Sequence, residues 1–354
     1  MIILHEVTIK DVARVAGVSM STVNKALTGK TGISAELKKR VLDTVEKLNY
    51  QPNKAAGAIA RNRVHIGIVI PDNWENSCYD IVQGIEHRMN ILADWNFASK
   101  TMTYSVHDSD TDKNVLDCLK KLHEKKIKAF ILCKSGNHSY EKSIEYAVKN
   151  DIKVVCIGYS HPSYNSNFLT IDSDAYKCGQ IAAELFEFAL TPGEGAAIIT
   201  GNKNFWTNRE KIRGFVEKSE QKKSITCFSI SLDSDNNEES YKVAKELLSK
   251  NVSAIYISLR SIDGICKAIN ESGKKVKLIT TDLLDEYKKY FENDMITATI
   301  YQNAFLQGSA AANALYDFFI FGDTPPDVIL ISPIIFTKEG LMPDYRTDIH
   351  TYLG

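Results

Sequence analysis

The chain has 354 residues, 44% hydrophobic and 25% charged, with 43 lysines and arginines against 44 aspartates and glutamates. That length suggests two or three domains, and that balance excludes disordered and fibrous classes. No stretch approaches the roughly 18 uninterrupted apolar residues of a membrane span, and MIILHEVTIK meets Glu6 and Lys10 before any secretory-length apolar segment, so a cytoplasmic protein is expected.

The near-neutral total hides an asymmetry. Residues 1–63 carry 11 basic against 5 acidic side chains, a charge of +6, and the remaining 291 carry 32 against 39, a charge of −7. A basic head on an acidic body suits a protein whose head alone approaches phosphates, the alternative being chance segregation of solvated charge. The seven cysteines show no C-x-x-C and the eight histidines no H-x-x-x-H or H-E-x-x-H face, so no disulfide framework, metal or cofactor is expected.

Thr8-Ile9-Lys10-Asp11 reads as a helix start, with the Thr8 hydroxyl capping free amides and Asp11 at the positive dipole end. Val12, Val15 and Ala16 then form a short apolar stripe, Gly17 a turn, and Ser19 the cap of a second helix over 20–27. Ser34 starts a third, whose Leu37, Val41, Val45 and Leu48 recur at helical spacing and close a three-helix core. If Val23 and Leu27 face that core, Met20, Ser21, Asn24, Lys25 and Thr28 stay outside, a short polar face suited to a major groove, with Ser19 and Thr22 facing phosphates. A solvated helix face is the other reading.

The whole stretch VTIKDVARVAGVSMSTVNKALTGKTGISAELKKRVLDTVEKLNYQPNKAAGAIA resembles the DNA-binding head of the LacI/GalR family. The likeness runs through the TIKDVA helix, the AGVS turn, the STV recognition helix, the NY-x-PN exit and the A-x-x-I segment. It implies that Met20 and Ser21 read bases, that Lys25 stands where an arginine is usual, and that Ser19, Thr22, Thr28 and Asn53 contact the backbone, with Thr8 also in the DNA-binding set. Two departures matter: Lys25 replaces a bidentate fork with a point charge, and Asn24 replaces the usual serine, so a non-standard operator is expected. Residues 53–60, NKAAGAIA, resemble the family's hinge helix, with Ala56 on it and Ile59 as the wedge that unstacks a minor-groove step. Gly57 and the β-branched Ile59 weaken such a helix, and a flexible linker is the alternative.

From His65 the chain alternates apolar runs with amphipathic stretches, the pattern of parallel strands and crossover helices. HIGIVIP, AFILC, KVVCIG, GAAIITG, SAIYIS, KLITTD and ITATIYQ are the strand candidates, and Ile81, Ile85, Met89 and Leu92 mark one of the helices. Their number exceeds one compact sheet and suggests two lobes. No G-x-G-x-x-G, G-x-x-x-x-G-K-[ST] or G-x-S-x-G occurs, nor any paired carboxylates or serine-histidine set that would nominate a catalytic centre. A binding protein, not an enzyme, is expected.

IGIVIPD, NREKIRGF, LITTD and ATIYQNAFLQGSAAANAL resemble the periplasmic-binding-protein-like effector domain of the same family. The expected architecture is a small all-α helix-turn-helix domain followed by a two-lobed α/β domain with parallel sheets and helices on both faces. Its bounds are residues 1–51 for the head, 52–63 for the hinge and 64–354 for the effector domain. One lobe takes about 64–171 and 302–332, and the other about 172–301 and 333–354. Ligands of open parallel sheets lie at the carboxyl ends of strands, which nominates Trp74, Trp206, Ser258, Asp282 and Gln302, though packing or surface is the readier reading of either tryptophan and an equal one for Asp282 and Gln302. Lys211 stands where family members that bind sugars or purines often carry arginine, a cationic ligand contact or else a surface lysine.

The partners expected are double-stranded DNA with a pseudo-palindromic site, a carbohydrate effector and a second copy of the chain. No heptad follows VILISPIIF, so a tetramerising coiled coil is not expected. A solute-binding protein of transport would share the body but has no use for the basic head.

Overall fold

The computed structural model describes residues 7–27, 31–50, 63–73, 78–107, 110–135, 140–158, 168–221, 226–233, 235–323 and 326–341. The chain divides into two units, Met1–Asn62 and Arg63–Gly354.

In the first unit, α1 (Ile9–Ala16), α2 (Met20–Leu27) and α3 (Ala35–Lys47) form where their caps place them. The hydroxyls of Ser19 and Ser34 accept the backbone N–H of Thr22 and Leu37, each at 3.2 Å, and Gly17 turns α1 toward α2 at φ 65°. Thr8 and Asp11 close a capping box, in which the Thr8 side chain faces the Asp11 backbone N–H and the Asp11 carboxylate accepts the Thr8 backbone N–H (3.0 Å) and hydroxyl (2.6 Å). Val12, Ala13, Ala16, Val23, Ala26, Val41 and Tyr50 make the buried core. Val15, expected in the apolar stripe, is 53% exposed and Ala13 is buried instead. At about 100° per residue the two point to nearly opposite sides of α1, and only Ala13 shares an arc with Val12 and Ala16.

The second unit holds two sheets. Strands β1 (Val64–Pro71), β2 (Phe97–Tyr104), β3 (Ala129–Cys133), β4 (Lys153–Ile157), β5 (Phe168–Ser173) and the late β11 (Val328–Ile331) form one, parallel throughout, in the order β11-β5-β4-β3-β1-β2. Strands β6 (Gly195–Thr200), β7 (Thr226–Ser231), β8 (Val252–Ser258), β9 (Lys277–Thr281), β10 (Ile296–Tyr301) and β12 (Ile334–Thr337) form the other, in the order β12-β10-β9-β8-β6-β7. Only β12 runs antiparallel there, against β10. The chain passes from one sheet to the other after β5, after β10 and between β11 and β12, so each lobe is built from interrupted stretches.

Helices α4 (Tyr79–Ala93), α5 (Thr111–Glu124) and α6 (Glu141–Lys149) connect the first sheet, and α7 (Ala175–Ala189), α8 (Trp206–Glu220), α9 (Asn237–Ser249), α10 (Asp263–Ser272) and α11 (Lys288–Glu292) the second. Helix α12 (Ala304–Phe321) returns to the first lobe, against α4. The helix leading into each lobe crosses a neighbour at a reciprocal pair of glycines. A Cβ on Gly179 of α7 would lie 2.0 Å from the Lys211 carbonyl oxygen, and one on Gly214 of α8 2.0 Å from the Tyr176 carbonyl oxygen. The α4–α12 crossing repeats this with Gly84 and Gly308, at 1.9 Å from the carbonyl oxygens of Phe305 and Ile81. Such separations leave no room for a methyl group, so these crossings fix the helix spacing.

Candidate nucleic-acid interface and ligand cleft

On α2, Met20 is 47% exposed, Ser21 and Asn24 are exposed, and Thr22 and Lys25 are half-buried. The Ser19 and Thr22 hydroxyls lie 2.9 Å apart at the amino end of α2, where free amides favour a phosphate. The Lys25 ammonium sits beside Gly32, 3.7 Å from where a Cβ would stand. Thr8, at the start of α1, is exposed. Thr28, Asn53, Ala56 and Ile59, with the hinge segment, lie outside the described residues, as does Trp74.

In the second lobe the strand ends line up as a polar rim. Taken across the sheet from β7 to β10, they are Ser231, Gly201, Ser258, Asp282 and Gln302. Ser231 donates to the Gly201 carbonyl (2.9 Å), and Lys211 Nζ, reaching in from α8, donates to Ser258 Oγ (2.8 Å). Asp282 Oδ1 accepts the Gln302 backbone N–H (2.9 Å) and Oδ2 accepts Gln302 Nε2 (2.7 Å). Gln302 Oε1 in turn accepts the hydroxyl of Ser173 (3.0 Å), the last residue of β5, so this chain of bonds bridges the two sheets at a crossover. Asp282 holds φ at 64°, a region that costs an aspartate on the order of 1 kcal/mol. Its N–H donates to the Ile300 carbonyl (3.0 Å) and its own carbonyl accepts the Thr299 hydroxyl (2.6 Å), which hold the strained backbone in place.

The sequence-nominated residues thus fall into two pairs, Lys211 with Ser258 and Asp282 with Gln302. Burial pushes the thiol of Cys178 on α7 up to about 12, a shift opposed by the Lys211 cation and reinforced by the Asp282 carboxylate. Trp206 is the first residue of α8 and half-buried.

Sequence reasoning missed the matching rim of the first lobe. Lys134 follows β3 directly, its amine held below the usual lysine range by burial, with Cys156 and Asp172 opposing that shift. Its Nζ stands 5.7 Å from the centre of the Tyr140 ring. The Tyr140 and Tyr104 hydroxyls are 3.2 Å apart, Tyr104 donates to the Cys133 carbonyl (2.8 Å), and burial pushes both phenols up. The signal was available: a polar residue directly after AFILC obeys the same strand-end rule that found Ser258 and Asp282. Among the described residues no group of three His, Cys, Asp or Glu could hold a metal ion, and no helix is long and apolar enough to cross a membrane.

Residues 8–53 match the family profile "Bacterial regulatory proteins, lacI family", and residues 102–322 match "Periplasmic binding protein domain". The chain belongs to the periplasmic-binding-protein-like domain family over its body, and its head carries a lacI-type helix-turn-helix domain. It is 28% identical to catabolite control protein A of Priestia megaterium over 59% of its own length and 60% of that protein's. It is 26% identical to catabolite control protein A of Streptococcus mutans over 76% and 78%. The match therefore spans less than two thirds of the first of these relatives. Among solved structures, a periplasmic ribose transporter protein of Conexibacter woesei superposes with a TM-score of 0.70 at 16% identity, covering 83% of this chain and 96% of its own. The Lac repressor dimer bound to operator superposes at 0.58 and 19% identity, covering 95% and 99%. At such identities these two bear on the fold alone. The profile that the head matches is one of bacterial regulatory proteins.

Proposed function

We propose that this chain is a cytoplasmic, homodimeric repressor that binds a pseudo-palindromic operator and changes its affinity for that DNA when a carbohydrate occupies the cleft of its body. The observation that carries the reading is the presence, on one chain, of a LacI-type head with an exposed polar α2 and a body whose strand ends form a polar rim. Met20, Ser21 and Asn24 read base edges; Thr8, Ser19, Thr22, Thr28 and Asn53 hold the backbone; Lys25 adds a point charge; and Ala56 and Ile59 belong to the hinge, with Ile59 the minor-groove wedge. Lys211, Ser258, Asp282 and Gln302 hold the effector, with Trp74 and Trp206 stacking on its apolar face. The Lac repressor's operator complex and the ribose and arabinose proteins of the same fold support the two halves of this reading by analogy.

The dimer places one α2 per half-site. Selection of DNA from a random pool by the full chain should return an inverted repeat with half-site centres about one helical turn, roughly 34–36 Å, apart. Exchanging Met20 or Ser21 should then redirect one base position at a cost of about 1–3 kcal/mol on the old site. Recovery of no common sequence above non-specific binding at moderate salt overturns the reading.

A further inference from the structure

In the first sheet β4, β3, β1 and β2 lie side by side and parallel, so the residues that precede these strands share one end of the sheet. The chain from the head arrives at that end. Arg63 and Val64 lead into β1, and the Val64 N–H donates to the carbonyl of Asn96, just before β2 (2.8 Å). Residues 51–62 separate the described head from the described body, and twelve residues span at most about 43 Å. A duplex held by the head is therefore tethered to this end of the first sheet.

The charge here is opposite to that of the rest of the body. Residues 120–128, KKLHEKKIK, carry five lysines against one glutamate, whereas the other 282 residues of 64–354 sum to −11. Lys120, Lys121, Lys125, Lys126 and Lys128 are all exposed. The backbone N–H of Lys153, which opens β4, donates to the Lys128 carbonyl (3.0 Å) and brings a sixth lysine into the group. Part of this follows from α5, whose carboxyl end favours cations. The helix does not account for Lys128 and Lys153, which stand at strand starts, or for Lys100 of β2, whose amine crowds that of Lys125 and lowers it below the usual lysine range. Rings are interleaved with the cations: Lys153 Nζ lies 5.2 Å from the centre of Phe318 on α12, and Lys120 Nζ 5.9 Å from that of Tyr146. A cation held over an aromatic face is already positioned and loses less side-chain freedom when a phosphate meets it.

We infer that this end of the first sheet, centred on Lys125, Lys126, Lys128 and Lys153, is a second DNA-binding surface that meets phosphates of the duplex beyond the operator itself. This rests on the operator-binding reading of the head and extends it to the body. Ammonium groups at strand starts offer charge but no base-edge pattern, so the contact is independent of sequence. An acidic protein would share the sign of the duplex, but the tether favours DNA, which the head presents at high effective concentration.

The test is fluorescence anisotropy of the full chain at about 50–200 mM salt on two duplexes: the selected inverted repeat alone, and the repeat extended on each side by about 15 bp, longer than the tether at roughly 3.4 Å per base pair. Wild type should bind the long duplex about 10-fold more tightly, with a log–log salt slope steeper by about 0.9 for each added phosphate. Joint replacement Lys125→Gln, Lys126→Gln and Lys128→Gln should abolish that excess and leave the short duplex bound as in wild type. The matched control is Lys274→Gln, Lys275→Gln and Lys277→Gln, three exposed lysines before β9 of the second sheet, which should keep the excess. No excess on the long duplex, an excess that survives the first triple change, or an equal loss in the control overturns the inference and leaves operator binding by the head standing. Binding of poly-glutamate that the first triple change abolishes, with no excess on the long duplex, assigns the surface to an acidic protein and also overturns it. Wild type that does not prefer the selected repeat to unrelated duplex overturns the proposed function instead; a salt slope on unrelated duplex that only the first triple change lowers then supports the body surface by itself.

Discussion

Gly214→Ala should destabilise the body by about 3 kcal/mol or more and uncouple the effector cleft from its ligand. The added Cβ would stand 2.0 Å from the Tyr176 carbonyl oxygen and 2.9 Å from its carbon. These are backbone atoms, so no rotamer change relieves the clash and α7 and α8 must separate. That separation opens the edge-to-face contact of Phe186 with Phe215, now 6.1 Å between centroids, and draws Lys211 off Ser258. At roughly 2–4 °C per kcal/mol for a domain of this size, the melt should fall by about 6–12 °C, with a parallel loss of ligand heat in titration. Gly340→Ala is the control, since its Cβ would meet only the Thr337 hydroxyl oxygen at 3.6 Å. A Gly214→Ala protein that melts with the wild type would show that the crossing does not fix the helices.

Val23→Asp should have a comparably large effect confined to the other unit. Val23 is fully buried in the three-helix core, in an apolar cluster with Val12, Ala16 and Val41. Burying a carboxylate there costs several kcal/mol, and a unit of 62 residues has about 3–9 kcal/mol to lose at 0.05–0.15 kcal/mol per residue. The head should unfold. Mobility-shift titration should then show DNA affinity reduced at least about 100-fold, the equivalent of about 2.7 kcal/mol. The melt of the body and its ligand binding should stay as in wild type. Unchanged DNA affinity would place the nucleic-acid interface elsewhere.

The strands legible in the sequence were those with continuous apolar runs, such as HIGIVIP and SAIYIS, which lie inside the sheets and are buried along most of their length. The strands not legible were β2, β7 and β5. Both β2 and β7 are sheet edges with exposed or half-buried centres, and neither FASKTMTY nor TCFSIS carries a buried-strand pattern. β5 is buried throughout, but FLTIDS spends half of its residues on polar side chains because its carboxyl end is a crossover that hydrogen-bonds to Gln302. Likewise, spacing along a strand cannot tell that Asp282 is tied to Gln302 and not to Lys211, since that depends on which strand ends become neighbours. Val15 was misplaced for a simpler reason: in an eight-residue helix one valine has little periodicity to anchor it.

The central claim is that the body's ligand governs the head's grip on DNA, and linkage makes that claim directly measurable. Fluorescence anisotropy of the full chain on its selected inverted repeat, titrated at zero and saturating concentrations of the ligand found by calorimetry, should give two dissociation constants that differ by about 5- to 150-fold, a coupling of 1–3 kcal/mol. The same factor should reappear when the ligand is titrated with and without DNA. Identical DNA affinity at every ligand concentration, with both partners demonstrably bound, would contradict the account.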